Sequence, residues 1–295
     1  MKRTLVIILA CCAAGIARAG EEATPEDIAY YNEWRQKKQA LADLDEYARA
    51  AVAVDTNAAL GDRFDAIRSL TNNPSAHLDA LELLMNDPDW ALRYAAIEAI
   101  EPVRTDLAYT AAKQMVLEAA PATNTLHPRL PWSLYSAELM ARLGDGSAMP
   151  FIVQQLLAHP FCSTRGTAIN ALHSFYYMKE LKPYEPLVRF IDHTLPDLNS
   201  PDAEKQRDAL SLLPHAISML SQLNAVEALP AFSRWASIPV PDEIRHGFES
   251  AQRELEALKT RLENGEPDPR DNPEYKRTPG VTPAWRFPIY TYTNE

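Results

Sequence analysis

Alanine and branched aliphatic residues recur at spacings of three and four along most of the chain, and three stretches repeat one order. RFDAIRSL (63–70), RYAAIEAI (93–100) and RGTAINAL (165–172) put Arg63, Arg93 and Arg165 in one column. Ala66, Ala96 and Ala168 fall in a second column, and Ile67, Ile97 and Ile169 beside them. LYSAELMA (134–141) and LPHAISML (213–220) are weaker copies that keep Ala137 and Ala216. The five copies begin at 63, 93, 134, 165 and 213, so the steps of 30, 41, 31 and 48 residues each leave room for two helices and their turns. Apolar residues at i, i+3, i+4 and i+7 lie on one side of a helix. A small residue in the middle of that side lets a neighbouring backbone come close, and larger aliphatics at its edges fill the groove.

A partner helix precedes most copies. LDALELLM (78–85) leads through Asp87-Pro88 to Arg93, and MPFIVQQLL (149–157) leads through His159-Pro160 to Arg165, 72 residues on. Proline opens a helix and cannot continue one, so Pro88 and Pro160 mark the turns. Leu143-Gly144-Asp145-Gly146 punctuates the end of another unit. Neither helix of such a pair can bury its apolar stripe alone, but a stack of pairs can. The expected fold is therefore all-α, a right-handed α-α superhelix of about five units over residues 58–240.

The turn aspartate Asp87, six residues before Arg93, resembles the HEAT-repeat superfamily, particularly its bacterial HEAT-like members. In that family such a pair ties adjacent repeats into a ladder, which is the structural role the resemblance implies for Asp87, Arg63, Arg93 and Arg165. The chain departs from the pattern at Asn57 and His159 in the aspartate column and at Leu213 in the arginine column. The likeness is good over 58–175, fainter to 236 and absent outside.

The flanks have a different pattern. MKRTLVIILACCAAGIARAG has the basic start, apolar run and small-x-small ending of a secretory signal over residues 1–19. Ile8-Leu9-Ala10-Cys11 also has the form of a lipobox, so membrane association is expected only if Cys11 is lipidated. The expected place is outside the cytoplasm, in the periplasm. Residues 20–57 read as an N-terminal capping helix starting at Thr24-Pro25 and running to Val54, with Ile28, Tyr31, Leu41, Leu44, Tyr47 and Ala51 as its stripe. In 241–265, Ile244, Phe248, Ala251, Leu255, Leu258 and Leu262 alternate steps of four and three, a seam that fits either packing on the last repeat or self-association. Residues 266–295 carry six prolines and exclude a helix, yet Trp285, Phe287, Tyr290 and Tyr292 are too apolar for a plain solvated tail. Either an extended strap on the array or a peptide presented to a partner explains both facts, and these four aromatics are the candidate partner-binding residues.

Charge narrows the function. The chain holds 29 basic and 40 acidic residues, net −11; loss of Lys2, Arg3 and Arg18 with the signal leaves 26 against 40, net −14. Nucleic-acid binding needs a basic surface to displace counterions, so no nucleic-acid partner is expected. Beyond the signal one cysteine remains, Cys162, which makes no disulfide framework and reads as a small apolar group. The seven histidines include no His-Glu dipeptide and no pair at i, i+4, so no metal, cofactor or catalytic residue is assigned. Asp43-Leu44-Asp45-Glu46 reads as a solvated helix face. The function that fits is an exported scaffold that binds a protein or peptide in the cell envelope. A carboxylate-dependent hydrolase or lyase in the groove, and a homo-oligomer built through the 244–262 seam or the tail, are the alternatives.

Overall fold

The computed structural model describes residues 25–119 and 130–271. Thirteen α-helices and no strand occur among the described residues. The first, α1 (Pro25–Ala42), is tied to the array by Lys38, 2.9 Å from Asp65, and by Leu41 packed on the core, and the other twelve form six consecutive pairs. These are α2 (Glu46–Val54) with α3 (Leu60–Leu70), α4 (Leu78–Leu84) with α5 (Trp90–Ile100), and α6 (Thr105–Ala119) with α7 (Leu130–Arg142). There follow α8 (Met149–Ala158) with α9 (Cys162–His173), α10 (Tyr184–Thr194) with α11 (Ala203–Gln222), and α12 (Leu229–Trp235) with α13 (Asp242–Glu263). The second helices of successive pairs touch in order, α3 to α5 to α7 to α9 to α11 to α13. The chain is thus an all-α helical-repeat solenoid.

The alanine column explains how closely the second helices approach. Ala66, Ala96, Ala137, Ala168 and Ala216 are all fully buried, and the aliphatic residues after them, among them Ile67, Ile97, Ile169 and Ile217, are buried beside them. Without a side chain beyond Cβ, the centre of each helix admits its neighbour, and the flanking aliphatics interlock.

Three members of the arginine column link their unit to the next. Arg63 donates from Nε to the Ala53 carbonyl (3.0 Å) and from Nη2 to Asp87 (2.6 Å), joining α2, α3 and the turn before α5. Arg93 reaches Glu118 at the end of α6 (2.9 Å) and lies 5.0 Å from the Trp90 ring centre. Arg165 reaches Asp208 in α11 (2.8 Å). The third unit has Leu134 in this column, and the turn that follows it has His159 where Asp87 stands. Both are buried. The His159 imidazole keeps only the local half of the aspartate's work: Nδ1 accepts from the Phe161 N–H at 3.1 Å, as Asp87 accepts from the Asp89 N–H at 2.9 Å. Cation and anion have been lost together at one junction. Tyr109 on α6, whose hydroxyl donates to Asp145 ahead of α8 at 2.7 Å, ties that junction instead.

Unit ends follow one design twice. Gly144 after α7 has φ +91° and Asn224 after α11 has φ +49°. In each case the next N–H reaches back five residues, from Asp145 to the Met140 carbonyl and from Ala225 to the Leu220 carbonyl, at 2.9 and 3.1 Å. That is the left-handed cap that stops a helix. A 3₁₀ turn (Gly146–Ala148 or Val226–Ala228) then feeds a helix with proline in its first turn.

Three expectations change. The N-terminal segment is two helices, because the Asp45 side chain accepts from the Ala48 N–H at 2.7 Å and starts α2 afresh. Asp43-Leu44-Asp45-Glu46 is therefore a helix break and cap, not one solvated face. The expected single stripe is dispersed: Tyr47 and Ala51 are exposed, while α2 belongs to the first pair. At the other end, Ile244, Phe248, Ala251, Leu255 and Leu258 are buried where α13 packs on α11 and α12. The 244–262 seam is spent inside the chain, which removes it as a surface for self-association. Residues 1–24, with the expected signal, and 272–295, with Trp285, Phe287, Tyr290 and Tyr292, lie outside the described residues.

Candidate functional site

One place after the arginine column stand Phe64, Tyr94 and Tyr135, on the second helices of the first three units. Because 3.6 residues make a turn, this position lies beside the inter-unit contacts and opens to the uncovered side of the stack. Trp132, one turn earlier on α7, joins them. Its ring centre lies 6.0 Å from Phe64, 5.9 Å from Tyr94 and 5.8 Å from Tyr135, and Tyr94 and Tyr135 are 5.5 Å apart. Trp132 thus spans α5 to touch α3, and four aromatic rings form one platform over three helices. Phe64, Tyr94 and Trp132 rest on the core and are partly buried, while Tyr135 is 36 % exposed. In the fourth and fifth units the same position is Gly166 and Pro214, so the platform ends at α7.

Beside the rings lie two carboxylates, Glu98 on α5 and Glu138 on α7. Burial raises the Glu138 pKa above the ordinary carboxylate value, and the Glu98 charge adds to this. Arg142 and a hydrogen bond from the Ser174 hydroxyl oppose it without prevailing. Burial likewise raises the Tyr94 hydroxyl, with Glu98 and Glu138 contributing, so the phenol stays protonated at any ordinary pH. A half-desolvated carboxyl beside partly buried aromatic rings attracts a cation, because both the charge and the ring quadrupole favour one.

Further along, the face turns polar. Five places after the arginine column, the fourth and fifth units carry Asn170 and Ser218, both exposed. His215 Nε2 lies 2.6 Å from Asn170 Oδ1. Burial lowers the pKa of both His173 and His215, which favours neutral imidazoles that exchange hydrogen bonds with amides. Asn, His and Ser at this spacing suit the main chain of an extended segment more than a single small molecule.

Two depressions lie elsewhere. One of ≈ 580 Å³ is lined by α12 and α13 residues such as Leu229, Glu256 and Thr260. Another of ≈ 250 Å³ lies between α10 and α12, at Val188, Pro230 and Arg234. Neither contains the Glu98 and Glu138 carboxyls. Among the described residues no three His, Cys, Asp or Glu side chains come together as metal ligands, and no helix is long and apolar enough to cross a membrane.

Sequence reasoning placed Arg63, Arg93, Arg165, Asp87 and the alanines as structural positions and sought partner-binding residues in the tail. It passed over the platform. The signal was an aromatic column next to the arginines, but Trp132 sits outside the repeat register, and exposure cannot be read from a column.

The architecture defines the class, a helical-repeat solenoid with an open second-helix face. No protein-family model and no curated protein sequence matches the chain. Among solved structures it is similar to an engineered protein from a structural-genomics consortium, at 15 % identity and TM-score 0.37, covering 72 % of this chain and 97 % of that one. It is also similar to a designed armadillo-repeat protein, at 13 % identity and TM-score 0.35, covering 72 % and 100 %.

Proposed function

We propose that this chain is a non-enzymatic binding scaffold of HEAT-like type, exported to the cell envelope, whose second-helix face holds an extended segment of a partner protein. The observation that carries this reading is the platform of Phe64, Tyr94, Trp132 and Tyr135, in which three partly buried rings and the exposed Tyr135 join across three successive repeats. Aromatic side chains that are half-buried by the core and half-offered to solvent are the groups that dominate protein interfaces. Glu98 and Glu138 beside them, on a chain of net charge −11, favour a partner segment with Lys or Arg among apolar residues. The HEAT-like type rests on the Arg63–Asp87 contact and its counterparts; export rests on residues 1–19.

The carboxylate-dependent enzyme is less well supported. Glu98 is exposed and neither it nor the half-buried Glu138 lines either depression, whereas general acid catalysis gains from a water-excluding pocket.

Selection of a displayed library of random peptides on the full chain tests the proposal, with a Trp132→Ala, Tyr135→Ala chain as counter-target. The expected result is a family of peptides with a basic residue next to apolar ones that binds the native platform at least about tenfold more tightly, the effect of losing one modest hot spot. Ligands that bind both chains equally overturn it.

A further inference from the structure

The last described residues are held firmly. Arg270 is 6 % exposed, paired to both Glu227 oxygens at 3.0 Å and to Asp268 at 3.0 Å. Asp271 meets Lys179, just after α9, at 2.5 Å. Burial opposes ionisation of Asp268, but Arg270 and Lys179 hold its pKa below the ordinary value. The remaining chain therefore leaves the array from a fixed point beside α9, whose neighbour α7 carries Trp132 and Tyr135. From there residues 272–295 provide 24 residues, with Lys276, Arg277 and Arg286 against Glu274 and Glu295. They are net positive on a negative body, and Arg286 sits between Trp285 and Phe287.

We propose that residues 283–292, PAWRFPIYTY, of the same chain seat on the Phe64/Tyr94/Trp132/Tyr135 platform and compete there with the outside partner. The inference rests on the binding role proposed for that face and adds its regulation. Reach permits it. Asp271 and Trp285 are fourteen steps apart along the chain, which span up to about 46 Å at ~3.3 Å each. Stacked helices lie about 8–10 Å apart, so two steps from α9 to α5 plus one helix length of about 18 Å need no more than about 40 Å. Chemistry favours it: the segment supplies apolar rings to the platform and the Arg286 guanidinium to Glu98 and Glu138. A short tether also gives an effective concentration on the order of 1 mM, so even a weak intrinsic affinity fills the site. An outside ligand must then displace the tail, and its apparent affinity falls by the fraction of platforms left free.

The test puts the photo-crosslinker p-benzoylphenylalanine at Phe287 of the full chain and maps the adducts by mass spectrometry. The expected adducts are within one chain, to peptides holding Tyr94 or Trp132–Glu138, and are lost in a Tyr135→Ala background. That background changes an exposed ring, and circular dichroism checks its folding. Adducts to other surfaces, adducts formed between chains, persistence in Tyr135→Ala, or no adduct each overturn the inference. In parallel, the selected peptides are titrated into Trp285→Ala, Phe287→Ala, Tyr290→Ala full chain, where affinity is expected to rise several-fold; unchanged affinity counts against tail competition. If platform-dependent ligands exist but Phe287 adducts fall elsewhere, only the tail inference fails; if no ligand depends on the platform, the binding role fails with it.

Discussion

Arg63 and Asp87 are both more than nine-tenths buried, so each needs the other. Removing one partner of a buried pair costs about 3–5 kcal/mol, because the remaining charge is stranded. Arg63→Leu is therefore expected to lower unfolding free energy by that amount in a denaturant titration. The chain itself shows the remedy at the third junction, where Leu134 and His159 take the two places. Arg63→Leu with Asp87→His should recover most of the loss; a double variant as unstable as the single one contradicts this account of the column. Glu138 offers a pH test. Its pKa is raised above the ordinary 4.5, so between those two values the folded chain holds a proton that the unfolded chain releases. Stability then falls as pH rises through that window. Glu138→Gln removes the penalty and should raise the melting temperature at pH 7 but not near pH 4. The alanine column was visible in the sequence because it does the same job in five units, and the arginine column because three of them keep it. The coordinated exchange at Leu134 and His159 was not, since a substitution shows its partner only in space.

At the scale of the element, helix ends decide where pairs begin. The backbone at Gly144, φ +91°, is a conformation an L side chain enters at a cost of about 1–2 kcal/mol. Gly144→Ala should destabilise by about that much, measured by the same titration, whereas Asn224→Gly at the matching position relieves the left-handed backbone but loses the Asn224 Nδ2 hydrogen bond to the Tyr176 hydroxyl, and should cost less. Gly144-Asp145 was readable as punctuation. Asn224 was not singled out, because asparagine takes the left-handed conformation less distinctively than glycine. The N-terminal segment misled for a related reason: apolar periodicity continues from Tyr31 to Ala51, but Asp45 captures the Ala48 N–H and breaks the helix. Periodicity reports which side is greasy and says little about where hydrogen bonding restarts. The same limit hid the sixth pair. The even spacing of Ile244 to Leu258 fits a self-associating seam as well as a last repeat, and only the packing of α13 on α11 and α12 decides between them.

For the whole molecule, one face is used up and one is left. The stack consumes the alanine side of every second helix and leaves the neighbouring side open, aromatic over the first three units and polar over the next two. A ligand laid along that face touches several repeats in turn, at sequence intervals set by the repeat length. Hydrogen–deuterium exchange of the full chain, with and without a peptide selected on the native platform, tests this most directly. The account predicts new protection in α3, α5 and α7 together, with α2, α4 and α6 unchanged. Protection confined to the first helices of the pairs, or to the depressions beside α12, would contradict it.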